Sequence, residues 1–214
     1  MTPREVYSGY KIMPNLQLHQ LRVAAVGKMV SENLKQSVKT HDVILACLFH
    51  DMGNIIKFDL KEFPEFRAEK GLPYWESVKA DFIRRYGDNA HQANVAIAKE
   101  ISLPPSVVSY IDGISFSNLD NILTSTSYEQ KICEYADMRV GPHGILPLKE
   151  RLGEARSRYV GRGRDYYSEE GYVKLGAAAQ KIEKQIFSIS KIRPEDITDK
   201  SISDALEELR NYTF

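Results

Sequence analysis

An uncharged run that ends in two adjacent ionisable residues sets the strictest condition on how this chain can fold. Residues 43–49 are all apolar, and His50 and Asp51 follow them directly, shortly before Gly53. A helix of such residues belongs in a core, where neighbouring ionisable groups are costly unless a partner compensates them. A divalent metal is a common compensation for a histidine and an aspartate together. The sequence therefore predicts a buried helix that ends in a site centred on His50 and Asp51.

The same dipeptide occurs once more, at the start of this helix. His41 and Asp42 follow Thr40, which is a favourable N-cap residue. A carboxylate in the first turn also interacts well with the helix dipole. The helix is predicted to begin after Thr40 and to be stopped by Gly53. We therefore expect a structural role for His41 and Asp42.

Charge and cysteine content limit the partners that this chain can have. Lys+Arg and Asp+Glu both number 29, so no net field attracts bulk nucleic acid or an anionic membrane. Cys47 and Cys133 fall in apolar helical patterns and form no spacing motif, which favours a reducing compartment. No apolar run approaches the roughly 20 residues of a membrane span, and the N-terminus lacks a signal-peptide core. We expect a cytoplasmic protein whose oligomeric state stays open.

Apolar spacing predicts an all-α fold, a single domain over residues 1–214. After an extended lead-in over residues 1–15, apolar residues recur every three or four positions from Leu16, and His19 lies on that apolar face. Strand-type alternation is absent from the sequence. We expect a helical bundle with C-terminal helices over residues 165–214. Beyond the first two helices, others are predicted near residues 74–86, 88–103, 127–139, 147–160, 171–190 and 201–212, with a short one within 106–125.

Two further positions are candidates for the same site. Asp137 follows Cys133 by one helical turn on a face that is otherwise small and apolar, so its carboxylate needs a cation. His91 lies three residues after Asp88, which we expect to cap its helix. A surface or capping role stays open for His91, as does a core role for His19.

One segment, residues 151–164, is strongly basic. Arginine rather than lysine favours bidentate capture of phosphate or carboxylate. The alternative is a solvated face whose arginines pair with Glu169, Glu170 or other acids. Arg139, shortly after Asp137, is a further candidate for binding phosphate. Within the basic segment the candidate phosphate-binding residues are Arg156, Arg158, Arg162 and Arg164.

The ordered series of His19, the His50–Asp51 pair and Asp137 resembles the HD-domain superfamily of metal-dependent phosphohydrolases. ILACLFHDMGN looks like the family's apolar helix followed by its HD pair, and YADMRVG looks like its last aspartate helix. The resemblance covers about residues 12–160 and implies a helical bundle of the HD-domain type. It also implies one bound divalent transition metal ion, which could be Mn, Fe, Co, Ni or Zn. The metal ligands carried over are His19, His50, Asp51 and Asp137.

The function that this resemblance implies is hydrolysis of a small phosphate ester, expected to be a nucleotide, by metal-activated water. YGDNAHQANVAIAKEISLP is similar to a family segment whose histidine lies near the substrate or a second metal. His91 or Asp88 would then assist the leaving group, and Asp51 would act at the reacting centre. Some relatives carry a glutamate where this chain has Asn54. Two alternatives therefore stay open. One is a non-catalytic nucleotide-binding or interaction module with a structural metal, and the other is a dinuclear phosphodiesterase- or oxygenase-type site that uses His91.

Overall fold

Helices form the regular structure of this protein in the computed structural model, which describes residues 1–61, 69–160 and 168–214, with the backbone alone at 158 and 159. Over these ranges there are α-helices and no β-strand, which confirms the all-α prediction. None of the described helices is long and apolar enough to cross a membrane. The helices are α1 (Pro3–Gly9), α2 (Pro14–Glu32), α3 (Thr40–Phe49), α4 (Leu72–Tyr86), α5 (Ala90–Glu100), α6 (Pro105–Gly113), α7 (Leu119–Thr124), α8 (Tyr128–Arg139), α9 (Leu148–Tyr159), α10 (Glu169–Ser188) and α11 (Asp199–Arg210).

The first helix occupies a stretch for which the sequence pattern predicts an extended lead-in. The Thr2 side chain accepts a hydrogen bond from the N–H of Glu5, and the Glu5 carboxylate accepts one from the N–H of Thr2. Pro3 suits the first helical position, where its missing N–H costs nothing. The expectation of an extended segment is wrong because this capping box outweighs the nearby Gly9 and Pro14.

Two predicted helix starts are displaced by one residue. Thr40 is the first residue of α3 rather than its cap, and Lys39 precedes it. Asn89 rather than Asp88 caps α5, since the Asn89 side chain accepts a hydrogen bond from the N–H of Gln92. Asp88 is therefore an exposed residue of the preceding turn.

The apolar run of α3 lies in the core, packed against both α2 and α8. Residues 43–49 are at most 3% exposed, as predicted for a buried helix. α2 approaches α3 closely at Gly27, where an added Cβ would lie 3.0 Å from Sγ of Cys47. Cys47 and Cys133 are both free and buried. Because α2, α3 and α8 pack on one another, ionisable residues from three distant parts of the sequence can meet.

The histidine–aspartate pair at the start of α3 contacts residues from two other parts of the chain. Nδ1 of His41 lies 2.7 Å from the hydroxyl oxygen of Tyr212. Ser106 donates a hydrogen bond of 2.8 Å to Oδ2 of Asp42. These contacts join the start of α3 to α6 and to the C-terminal end of the chain.

Candidate metal centre

Two histidines and an aspartate meet at the end of α3. His19 lies on α2, and His50 and Asp51 directly follow α3. Nε2 of His19 and Nε2 of His50 each lie 3.6 Å from Oδ2 of Asp51. One ligand atom from each residue falls within 4.8 Å of the others, so this group could hold a metal ion.

The fourth predicted ligand, Asp137 of α8, lies against the same two imidazoles. Its Oδ1 is 3.0 Å from Nε2 of His19 and 3.3 Å from Nε2 of His50. The structure therefore brings together all four residues that the resemblance carries over as metal ligands, and we call them the four-residue cluster. His50 is buried, whereas the side chains of His19, Asp51 and Asp137 are partly exposed.

The ring of His50 is oriented as a metal-binding imidazole usually is. Its Nδ1 lies 2.8 Å from the backbone carbonyl oxygen of Cys47 and donates a hydrogen bond to it. That carbonyl belongs to the last turn of α3, where no further helical N–H follows to bond it. The contact leaves Nε2 directed at the cluster, where it can bind a cation.

Two buried amides position the backbone that follows α3. Oε1 of Gln20 accepts a hydrogen bond of 3.2 Å from the N–H of Asp51, and Oδ1 of Asn94 accepts one of 2.6 Å from the N–H of Gly53. Gly53 must lack a side chain, since an added Cβ would lie 2.5 Å from Cβ of Ala93. Sequence reasoning missed Gln20 and Asn94, because an amide that bonds a distant backbone has no local signature. The only available signal was the position of Gln20 beside a candidate ligand.

The cluster favours bound cations. Burial alone would lower the pKa of His50, but the carboxylates of Asp51 and Asp137 outweigh it and raise that pKa to about 9. Burial also opposes ionisation of Asp137, yet its hydrogen bonds with the imidazoles of His19 and His50 hold its pKa well below the usual range. Two carboxylates facing two imidazoles thus attract either protons or a metal ion, and the two compete for the same donors.

The spacing of the donors fits a divalent transition metal. Ligands bonded at about 2.1 Å lie about 3.0 Å apart around an octahedral ion and about 3.4 Å apart around a tetrahedral one. The Nε2–Oδ distances in the cluster run from 3.0 to 3.6 Å. Imidazole nitrogens with carboxylate oxygens also form the usual donor set of such ions. The four residues of the cluster therefore fit a divalent transition metal ion.

His91 and Asp88 lie outside this cluster. Nε2 of His91 is 3.0 Å from Oδ1 of Asp112 on α6, and both side chains are substantially exposed. His91 is linked to the metal centre through α5, because Asn94 in the next turn bonds the N–H of Gly53. Among the described residues Asp88 has no such link. His91 thus lies one helical turn before Asn94 on α5, whereas Asp88 is a surface residue.

Arg139 is buried and belongs to the core rather than to a phosphate site. Its Nε donates a hydrogen bond of 2.5 Å to the carbonyl oxygen of Leu146. Its terminal nitrogens donate to the carbonyl oxygens of Pro194 and Ile197, each over 3.2 Å. Residues two apart on a helix do not face each other, so Arg139 points away from Asp137. This placement corrects the prediction that Arg139 binds substrate.

The basic segment is described only in part. Nε and Nη2 of Arg156 lie 3.1 and 2.5 Å from the two carboxylate oxygens of Glu169. This exposed ion pair matches the solvated-face alternative for Arg156, and such pairs add little to stability. Arg162 and Arg164 lie outside the described residues, as does the side chain of Arg158.

A buried glutamate lies one turn before Asp137 on α8. Glu134 is 1% exposed, and its Oε2 accepts a hydrogen bond of 2.8 Å from the N–H of Ser115. Burial and the negative charge of Asp137 raise the pKa of Glu134 to about 8. The carboxyl group is therefore mostly protonated at neutral pH. Sequence reasoning missed Glu134, although an acid inside the apolar pattern of this helix was a signal for it.

Comparisons with protein-family models, with curated proteins and with solved structures find no match for this chain. The fold and the site define a class: an all-α protein whose helices bring two histidines and an aspartate into a candidate metal centre, with a second aspartate against them. Any activity must be argued from the residues of that centre.

Proposed function

We propose that this protein is a metal-dependent phosphohydrolase that cleaves a small phosphate ester, with a nucleotide as the expected substrate. The observation that carries the proposal is the convergence of two imidazoles on the carboxylates of Asp51 and Asp137, with Nε2–Oδ distances of 3.0 to 3.6 Å. Structural metal sites are usually closed, whereas three of these four side chains reach solvent. The partial exposure and the resemblance to HD-domain proteins both support a catalytic centre.

The four-residue cluster would hold the ion. When bound, a divalent ion supplies Lewis acidity toward water and phosphoryl oxygens at neutral pH. The protein's own contribution is placement. The carbonyl of Cys47 orients the ring of His50, and Gln20 holds the backbone of Asp51. Such support keeps ligands within the narrow geometry that catalysis needs.

His91 is the proposed proton donor to the leaving oxygen. Imidazole is the side chain most often used for proton transfer at neutral pH, and Asp112, 3.0 Å from Nε2, would orient the ring. Asp88, on the surface, is the weaker candidate. With Arg139 in the core and Arg156 paired with an acid, the arginines still proposed to bind phosphate are Arg158, Arg162 and Arg164.

Asn54 favours a second candidate function, a non-catalytic nucleotide-binding module with a structural metal. This side chain is 3% exposed and stands where the family resemblance leads one to expect an acid. An amide cannot take a proton from water, so it cannot activate a nucleophile. Release of phosphate distinguishes the two candidates.

The test is metal content and phosphate release in matched variants. Asp51→Ala should lose both bound metal and activity, because it removes one of the proposed donors. Asp42→Ala changes the same residue type at the other end of α3 and should keep both. Phosphate release is measured with a panel of nucleotides, each with Mn, Fe, Co, Ni and Zn. Equal metal content in the two variants would contradict the proposed centre, and bound metal with no phosphate release from any nucleotide would favour the non-catalytic module.

A further inference from the structure

A polar cleft of about 630 Å³ opens among α5, α6, the segment after α6, and α8. Its walls carry serine hydroxyls, side-chain amides and the hydrogen-bonded pair of His91 and Asp112. The polar groups that a ligand would meet include those of Ser109, Asp112, Ser115 and Gln130. We call this region the hydroxyl-lined cleft.

α8 joins the hydroxyl-lined cleft to the metal centre. Gln130, Glu134 and Asp137 follow one another at intervals of four and three residues, so they share one face of the helix. Asp137 belongs to the cluster, while Gln130 lines the cleft about 10 Å along the helix axis, at a rise of about 1.5 Å per residue. The N–H of Ser115, another lining residue, bonds the buried Glu134 between them. An ester that spans this separation would place its phosphate at the cluster and its remainder in the cleft.

The lining chemistry does not suit a phosphate or a base. Among the described residues that line the cleft there is no lysine or arginine, and Asp112 adds a negative charge that disfavours phosphate. The same residues include no phenylalanine, tyrosine or tryptophan, so a base would find only the ring of His91 to stack on. Hydroxyl, amide and carboxylate groups instead pair well with neutral hydroxyl groups, because all three accept hydrogen bonds and the first two also donate them.

We propose that the hydroxyl-lined cleft binds the sugar part of the phosphate ester through neighbouring hydroxyl groups, an assignment that rests on the proposed phosphohydrolase function. The carboxylate of Asp112 can accept from adjacent hydroxyls while its Oδ1 stays paired with His91. In the described part of the chain, the Ser109 hydroxyl and the Gln130 side-chain amide have no hydrogen-bond partner, so both can bond a sugar. Asn118 instead shapes the wall, since its amide donates to the carbonyl oxygen of Gly113.

Binding of neutral probes to the isotope-labelled, metal-free protein tests this assignment by NMR. Uridine carries a ribose diol and a base, methyl ribofuranoside carries the diol alone, and dideoxyuridine carries the base without the diol. We expect uridine and the riboside to cause saturable shifts of the amide signals of Ser109 and Gly113. Dideoxyuridine should bind about tenfold more weakly, the effect of losing hydrogen bonds to a charged acceptor. Equal affinity for uridine and the riboside would identify a sugar phosphate as the source of the ligand, and tighter binding of uridine would identify a nucleotide.

Three variants separate the cleft from the metal centre. Ser109→Ala and Gln130→Ala should each weaken uridine binding by about fivefold, the effect of one lost neutral hydrogen bond. Gln180→Ala, which removes an exposed amide on α10, should not weaken it. Shifts that do not saturate, or dideoxyuridine binding as tight as that of uridine, would overturn the assignment. Because this experiment needs no hydrolysis, intact diol binding in a protein that releases no phosphate would support the cleft and count against the proposed reaction alone.

Discussion

Replacing Glu134 with glutamine should make the stability of the protein less sensitive to pH. Burial and the charge of Asp137 raise the pKa of Glu134 to about 8, from an ordinary value of 4.5. The folded state therefore holds this proton more tightly than the unfolded state. Its contribution to stability is complete below about pH 4.5 and is lost as the pH rises through about 8. Glutamine cannot ionise, and it keeps an acceptor for the N–H of Ser115.

The size of the effect follows from the two pKa values of Glu134. A difference of one pKa unit is worth about 1.4 kcal/mol. Between about pH 5 and about pH 8 the wild type should therefore lose about 3–4 kcal/mol of unfolding free energy that Glu134→Gln keeps. This is a large share of a typical total stability of about 5–15 kcal/mol.

Urea denaturation of the metal-free proteins across this pH range measures the effect, because the difference between wild type and Glu134→Gln cancels the titration of groups common to both. Glu129 on the same helix supplies the control. Burial would raise its pKa, but hydrogen bonds from the N–H of Lys39 and the hydroxyl of Ser127 lower it. The contribution of Glu129 is lost only as the pH falls, so Glu129→Gln should differ from wild type by a constant amount between about pH 5 and about pH 8. If the difference in unfolding free energy between wild type and Glu134→Gln is also independent of pH, Glu134 is not a buried neutral acid.

Three further predictions concern the metal centre and the core. Gly53→Ala should destabilise the protein by about 1–3 kcal/mol and reduce bound metal, because the new Cβ would lie 2.5 Å from Cβ of Ala93. Thermal unfolding and metal analysis measure these two effects. Unchanged metal content would contradict the prediction. Arg139→Met should lower the free energy of unfolding by at least about 2 kcal/mol, because it leaves buried carbonyl oxygens without donors. Denaturant unfolding measures this loss. A variant as stable as the wild type would contradict the core role of Arg139. His91→Ala should keep its metal but lose about 10²–10⁴ in kcat, with nitrophenyl phosphate much less affected because its leaving group needs no proton. Two metal ions per wild-type chain that fall to one in His91→Ala would instead favour the dinuclear alternative.

Local sequence patterns singled out His50, Asp51 and Asp137, whereas the full ligand set with His19 came from the family resemblance. His50 and Asp51 end an uncharged helix, and His19 and Asp137 lie on apolar faces at helical spacing. Each pattern spans only a few turns, over which the helical period alone dictates which side is buried. The capping box of α1 is a signature of the same local kind.

Arg139 illustrates what local patterns cannot supply. Its nearness to Asp137 in sequence suggested a phosphate ligand. Residues two positions apart on a helix, however, point to different sides. Two of its carbonyl partners, from Pro194 and Ile197, lie 55 and 58 residues away along the chain. No helical period reports a contact over such a separation.

The sequence by itself determined which helices form around the centre, which faces they bury and which ionisable side chains those faces carry, because each depends on interactions within a few residues. The tertiary structure alone decided which of those side chains meet. It paired Arg156 with Glu169 and His91 with Asp112, and it enclosed Glu134 beside the cluster. Hydrogen-bond partners and desolvation depend on distances between segments, and those distances exist only once α2, α3 and α8 have packed.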